Sequence, residues 1–229
     1  MRAADRDLLI ALFGDIGHPL ASRCAERMLV SPRFRAFLDQ HQTKIRKKVR
    51  TLEGPTSWHD LWLELWTASR LLADRRFDVD YEAFAARNMR GPDLTATFRT
   101  HVICHIEIKH VRAELTSVKW AEVLCAKLGQ FPSGAINMLL VGNSVRSAAP
   151  CTAEAALREL SQLAQRGENA LFQRYGMDGA RGYLRQIVRL SGVLHAADWD
   201  LASAARHSLW RNPAARHALP PDLARALLA

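Results

Sequence analysis

The chain has 229 residues, of which 48% are hydrophobic and 24% charged, a balance typical of globular proteins. This composition excludes intrinsic disorder and a collagen-like repeat. The apolar run over residues 8–13 is short, so the sequence predicts neither an export signal nor a membrane span. The four cysteines lie far apart and form no Cys-x-x-Cys pair. We therefore expect reduced thiols in a cytoplasmic protein that does not contact a membrane.

The net charge is the first indication of function. Thirty-two Lys and Arg residues against 23 Asp and Glu residues leave a formal net charge of +9 at pH 7. Such an excess attracts polyanions, and nucleic acid is the leading partner class. Lysine is much scarcer than arginine in this chain, so a lysine within a chemical motif is informative.

Residues 3–50 are predicted to form helices, because the apolar residues at 8–13 keep helical spacing and later residues interrupt it only briefly. The second helical stretch ends in a cluster of five cations: Lys44, Arg46, Lys47, Lys48 and Arg50. The cluster is either a solvated helix end or a patch that contacts phosphate groups, in which Lys44, Lys47 and Lys48 are the candidate nucleic-acid ligands.

A glutamate lies inside a helix that is otherwise apolar. After a break at residues 54–57, residues 58–72 are predicted to form a helix with apolar residues on almost every side, which is typical of a buried helix. Glu64 stands between Leu63 and Leu65. A buried, ionised carboxylate is costly unless it is paired or binds a cation. We therefore expect Glu64 either to form a salt bridge with one of the arginines or to bind a metal ion.

From residue 77 the hydrophobic period changes from 3.6 to 2, which predicts strands. Phe77, Val79 and Tyr81 alternate with three acids that we expect on the exposed face. A second strand follows Pro92, and a third is predicted over residues 102–109.

The rest of the chain alternates between helices and strands. The predicted elements are a helix over residues 114–128, a strand over 136–141, a helix over 152–165, a strand over 186–194 and a helical tail from residue 201. The order strand, helix, strand predicts a parallel crossover.

One pattern in these strands has a chemical logic. Asp93 follows a proline, and after thirteen residues the chain continues Glu107-Ile108-Lys109. Glu107 and Lys109 share one face of a strand. A hairpin turn centred on Thr100 places Asp93 opposite Glu107, with Cβ atoms about 5 Å apart, and a turn centred half a residue earlier makes them diagonal neighbours. Two carboxylates suit Mg²⁺ or Mn²⁺, and a nearby lysine can position or deprotonate a water.

This arrangement, on the order helix, strand, strand, strand, helix, strand, resembles the PD-(D/E)xK, or restriction-endonuclease-like, nuclease superfamily. The resemblance covers roughly residues 58–141. It implies that Asp93 and Glu107 bind Mg²⁺ or Mn²⁺, that Lys109 is catalytic and that the carbonyl of Ile108 is a further metal ligand. Many members also take an acid from the helix ahead of the sheet, and Glu64 stands at the matching position.

Some members of that superfamily also place a Gln or a Lys on the helix after the third strand. Lys119, Lys127 and Gln130 are the candidates here, and we expect them near the nucleic acid. A solvated surface is the alternative for the motif itself: Asp93 after Gly-Pro is also typical of a turn, and Glu107 with Lys109 is also typical of a wet strand face.

The sequence thus predicts an α/β fold, namely a restriction-endonuclease-like core of a helix, a three-stranded antiparallel start, a crossover helix and a parallel strand. We expect a single domain over residues 1–229, with an N-terminal helical extension (1–55), the core (56–195) and a C-terminal helical tail (196–229). The expected activity is metal-dependent hydrolysis of phosphodiester bonds, in DNA rather than RNA. The alternative is an inactive nuclease-like module that binds nucleic acid or a protein partner. A homo-oligomer is compatible with either.

Overall fold

The structure is a computed structural model that describes residues 1–84, 91–145, 152–199 and 206–229. Within these ranges the chain forms ten helices and six strands, a mixed α/β architecture. The chain divides into two compact units, of which the first comprises Met1–Ala83 and Asp93–Val102 and the second the other described residues. Across the described residues, the apolar stretch of every helix is too short to cross a bilayer.

Five helices form most of the first unit. They are α1 (Ala3–Phe13), α2 (Pro19–Val30), α3 (Pro32–Gln40), α4 (Gln42–Arg50) and α5 (Pro55–Ala73). Their boundaries follow local chemistry: α1 ends at Gly14, whose φ of 83° favours glycine, and the Ser31 hydroxyl accepts a hydrogen bond from the Phe34 amide at the start of α3. The helices predicted over residues 3–50 are confirmed, and α5 begins three residues before the predicted start at residue 58.

A β-hairpin completes the first unit. Strands β1 (Phe77–Tyr81) and β2 (Leu94–Phe98) pair antiparallel, with Phe77 opposite Phe98 and Tyr81 opposite Leu94. The apolar face of this hairpin is buried and contacts α5. Both strands and their alternation are confirmed. The register also places the two acids of β1, Asp78 and Asp80, opposite threonines of β2.

The chain turns after β2 at Arg99 and Thr100. Both residues have positive φ, 50° and 69°, and the His101 amide donates to the carbonyl of Phe98 at 3.4 Å. Positive φ at two successive positions is typical of the tight turns that match the twist of a hairpin. Neither Arg nor the β-branched Thr favours that region, so the turn is strained.

The second unit contains the remaining elements. They are β3 (Val102–Val111, whose first residue belongs to the first unit), α6 (Ser117–Leu128), β4 (Ile136–Asn143), α7 (Ala153–Gln165), α8 (Ala170–Arg174), α9 (Gly179–Ile187), β5 (Gly192–Ala197), β6 (Arg206–Arg211) and α10 (Pro221–Leu228). Strands β3, β4 and β5 pair in parallel, and β6 pairs antiparallel with β5. The crossover through α6 is therefore parallel, as predicted. The hydrophobic core of the second unit lies between the apolar faces of α6, α7 and α9 and the strands β3, β4 and β5.

Two predictions for the second unit are wrong. The strand predicted over residues 186–194 begins only at Gly192, because Ala180, Tyr183 and Ile187 bury one face of α9 at helical spacing. The tail is not helical over Arg206–Arg211, where β6 pairs with β5. The Asn212 side chain then donates to the carbonyls of Ile187 and Leu190 and anchors the chain where β6 ends. Residues 201–205 of the predicted tail lie outside the described residues, and the end of the tail is helical as predicted, in α10. The division into segments 1–55, 56–195 and 196–229 and the restriction-endonuclease-like core stay predictions.

Candidate functional site

Glu64 is the most buried acid of the first unit that has a predicted role. It lies in the middle of α5, where residues 61–69 are all buried, and only 7% of its surface is exposed. Both carboxylate oxygens accept hydrogen bonds from Nζ of Lys48, at 2.7 and 2.8 Å, and Oε2 also accepts from the Tyr81 hydroxyl at 2.6 Å. The expectation that this carboxylate needs a partner is confirmed. The partner is Lys48, an ammonium rather than the expected guanidinium.

Helix α4 directs two of its lysines towards the end of β1. Lys44 and Lys48 are four residues apart and therefore lie on one face of the helix. Nζ of Lys44 donates to the carbonyls of Tyr81 and Glu82 at 2.5 and 3.2 Å. Nζ of Lys48 lies 3.5 Å from Oε1 of Glu82 and 5.6 Å from the centre of the Tyr81 ring. The ammonium groups of both lysines therefore contact acceptors within the protein.

Asp93 belongs to the same group of charges. The backbone amide of Glu82 donates to the carbonyl of Asp93 at 2.9 Å, which continues the pairing of β1 and β2 past the ends of both strands. The side chain of Asp93 is half-buried, and its charge acts on both Glu64 and Lys48. The first unit therefore brings together two of the acids predicted from the motif and its helix, Glu64 and Asp93, and adds Glu82.

The environment of this group changes the ionisation of its members. Burial raises the pKa of Glu64 and the charge of Asp93 adds to this, so that it reaches about 7 although Lys48 and Tyr81 act to lower it. Burial acts to lower the pKa of Lys48, but the charges of Glu64 and Asp93 more than offset this and the pKa rises. Every hydrogen bond described here at the Glu64 carboxylate is donated to it, which is the pattern of an ionised carboxylate.

The second unit holds the other acid of the motif. Glu107 lies in the middle of β3 and is only 3% exposed. Nζ of Lys127, in the last turn of α6, lies 2.5 Å from its Oε1 and 3.4 Å from Oε1 of Gln130. Lys109, two residues after Glu107 on the same face of β3, is exposed. The wet-face alternative is therefore wrong for Glu107 and holds for the position of Lys109.

The other predicted residues of the second unit are placed as follows. Ile108 is buried in β3 opposite Leu140 of β4, and the role of its carbonyl as a metal ligand stays a prediction. Lys119 pairs with Glu122 on the surface of α6 at 2.9 Å. Of the three candidates on that helix and just after it, Lys127 is the one whose ammonium contacts Glu107.

The predicted basic patch on α4 splits into two faces. Lys44 and Lys48 point inward, as described above. Arg46, Lys47 and Arg50 are exposed, and their spacing places them on one side of the helix. We call these three residues the outward stripe. Contact of the stripe, or of the inward lysines, with nucleic acid stays a prediction.

A divalent cation fits the chemistry of these acids. Mg²⁺ is usually held by one or two carboxylates together with waters and substrate oxygens. Glu64 and Asp93 supply two carboxylates in the first unit, and the ammonium of Lys48 occupies the position at Glu64 that a metal ion would take. A group of three or more His, Cys, Asp or Glu side chains able to hold a metal ion does not occur among the described residues.

Sequence reasoning did not find Tyr81 and Glu82. Tyr81 alternates with the buried apolar residues of β1 and was interpreted only as core, and Glu82 only as part of an exposed face. A buried glutamate such as Glu64 requires hydrogen-bond donors. The hydroxyl of Tyr81, on the buried face of the next strand, is the feature of the sequence that could have identified one of them.

Comparison with protein-family models, with curated proteins and with solved structures finds no significant match to the chain.

Proposed function

We propose that the chain is a metal-dependent nuclease of the PD-(D/E)xK type that hydrolyses phosphodiester bonds, in DNA rather than RNA. The observation that carries the proposal is Glu107: a carboxylate that is 3% exposed on a strand, two residues before an exposed lysine on the same face. An acid is rarely buried unless it is paired or binds a metal. The parallel crossover from β3 through α6 to β4 agrees with the element order on which the resemblance rests.

The proposed roles follow from the chemistry of each side chain. The proposed metal-ligating carboxylates are those of Glu64 and Asp93 in the first unit and that of Glu107 in the second. A cation held by carboxylates would neutralise charge on the phosphate and acidify a water. Lys109 is exposed and can reach a water or a phosphate oxygen, whereas the ammonium of Lys127 is held at Glu107. We therefore assign proton transfer or charge stabilisation to Lys109 and orientation of the Glu107 carboxylate to Lys127.

The outward stripe supports a polyanionic substrate. It adds three exposed cations on a helix that contains no acid, in a chain with a net charge of +9. Such contacts bind the phosphate backbone without reading sequence.

A second candidate function is a nuclease-like module that binds nucleic acid or a protein partner without cutting. One observation favours it: the carboxylates of Glu64 and Glu107 each already have an ammonium partner, Lys48 and Lys127. Neither acid needs a metal ion to be neutralised.

Incubation with nucleic acid separates the two functions. The purified chain is incubated with labelled single-stranded, double-stranded and branched DNA and with RNA, each with Mg²⁺, Mn²⁺ or EDTA. The nuclease predicts cleavage with either metal and none with EDTA. Binding without cleavage in every metal condition would reject the enzyme and favour the module.

A further inference from the structure

The ammonium of Lys48 is enclosed by acids and an aromatic ring. Its three N–H groups are matched by three carboxylate oxygens: two of Glu64 at 2.7 and 2.8 Å and one of Glu82 at 3.5 Å. The Tyr81 ring lies 5.6 Å away, and the side chain of Lys48 is 27% exposed. Together with the charge of Asp93, these groups form a site for a cation, and the ammonium of Lys48 is the cation that occupies it.

The inward position of Lys48 is specific to that residue. Its neighbour Lys47 carries the same charge and is exposed. Lys44 lies one turn earlier, and its ammonium donates to the backbone carbonyls of Tyr81 and Glu82 at 2.5 and 3.2 Å. The carboxylate that pairs with Lys44 is that of Asp80, at 3.9 Å, and not that of Glu64. Among the three lysines of α4, Lys48 is therefore the one that neutralises Glu64.

We propose that Lys48 is a built-in counter-ion that competes with the divalent cation for Glu64, so that metal binding releases its ammonium. The inference rests on the proposed function, which makes Glu64 a metal ligand. A carboxylate oxygen that accepts from both Lys48 and Tyr81 has few lone pairs left for a metal ion. A dication beside the ammonium would also be repelled at close range. Lys48 is therefore a positioning residue: its ammonium occupies both oxygens of Glu64 until the metal binds.

A purely structural role for Lys48 predicts something different. In that case Lys48 stays on Glu64 whether or not a metal ion is present, and its removal changes stability without changing metal affinity. Competition predicts that the ammonium leaves when the metal binds and that its removal strengthens binding.

The first test measures Mn²⁺ affinity from the free Mn²⁺ signal in electron paramagnetic resonance. At pH 9, where a proton competes least with the metal for Glu64, Lys48→Met should bind Mn²⁺ about tenfold more tightly than the wild type, within the usual range for coupled sites. Lys47→Met removes the same charge one residue away and should change affinity much less, and the difference between the two variants should persist in high salt, where long-range effects of charge are screened. Equal affinities for Lys48→Met and the wild type would overturn the inference.

The second test uses the wild-type chain and does not depend on the folding of a variant. The lysines are acetylated briefly with an activated ester, with and without saturating Mn²⁺, and the products are quantified by mass spectrometry. Release predicts that acetylation of Lys48 becomes several-fold faster with Mn²⁺ while that of Lys47 is unchanged. An unchanged rate at Lys48 would overturn the inference.

These outcomes are distinguishable from failure of the proposed function. If Mn²⁺ binds, Lys48 is released and no nucleic acid is cleaved, the counter-ion inference stands and the nuclease is rejected. If nucleic acid is cleaved and Lys48 stays on Glu64, the nuclease stands and the inference is rejected. Absence of Mn²⁺ binding in both the wild type and Lys48→Met rejects the inference as well.

Discussion

Lys48→Met is the change whose energetic effect follows most directly from the contacts. The variant removes the ammonium and leaves the carboxylate of Glu64, whose side chain is 9% exposed, with the Tyr81 hydroxyl as its remaining described donor. Stranding a buried charge by removing its partner typically costs about 3–5 kcal/mol. Glu64 can avoid part of this cost by taking up a proton, so the loss of stability depends on pH.

The sign of the pH dependence follows from the pKa of Glu64. This pKa is raised by burial to about 7 even with Lys48 present, and without Lys48 it rises further. Near pH 6 Glu64 is mostly protonated in both proteins, so the variant loses little more than a hydrogen bond, about 1 kcal/mol. Above pH 7 the folded variant keeps a proton that the folded wild type releases, and each pH unit adds up to about 1.4 kcal/mol. The cost should therefore reach about 3–4 kcal/mol at pH 9.

Urea denaturation at pH 6 and pH 9 measures this difference. Lys47→Met is the matched control, because Lys47 is exposed, and it should stay within about 0.5 kcal/mol of the wild type. The double variant Lys48→Met with Glu64→Gln has no buried carboxylate to strand and should lose the steep pH dependence. Equal losses for Lys48→Met at both pH values, or a loss no larger than that of Lys47→Met, would show that Lys48 does not neutralise a buried charge on Glu64.

Three further results are expected. Thr100→Gly should stabilise the chain by about 0.5–1 kcal/mol, because φ at this position is 69°, whereas Thr97→Gly inside β2 should destabilise it. Urea denaturation measures both changes, and a loss of stability in Thr100→Gly would contradict backbone strain at the turn. Asn137→Asp should lower the free energy of unfolding by about 3 kcal/mol, because the side-chain amide donates to three backbone carbonyls that a carboxylate would repel. An unchanged stability in the same assay would show that these hydrogen bonds are dispensable. Replacing all three residues of the outward stripe by Ser should reduce the slope of log binding constant against log salt by about 3, and an unchanged slope would place the nucleic acid elsewhere.

The predictable part of the fold is the part with a clear hydrophobic period. The alternation of Phe77, Val79 and Tyr81 identified β1, and the apolar helix around Glu64 identified α5. Strand β6 could not be identified in this way, because its residues are half-buried or exposed and it exists through pairing with β5. Helix α9 is short and rich in glycine and arginine, so the helical spacing of its buried residues could not be recognised in the sequence.

The predictable part of the site is the identity of its acids. Burial of Glu64 and of Glu107 follows from their sequence surroundings, but the choice of their partners does not. Lys48 and Lys127 reach these acids from separate helices, α4 and α6, and only packing decides which side of each helix faces inward. The five cations near the end of α4 look equivalent in sequence, and the fold divides them into an inward pair and the outward stripe.

The proposed metal-dependent phosphodiester hydrolysis places Lys109 at the reacting groups. Single-turnover cleavage with Mg²⁺ and nucleic-acid affinity without metal are compared for the wild type, Lys109→Ala and the surface control Arg158→Ala, whose side chain is exposed on α7 and pairs with Glu154. Lys109→Ala should lower the cleavage rate by about 10²–10⁴-fold with little change in affinity, while Arg158→Ala should cleave like the wild type. Cleavage by Lys109→Ala at the wild-type rate would contradict this role of Lys109.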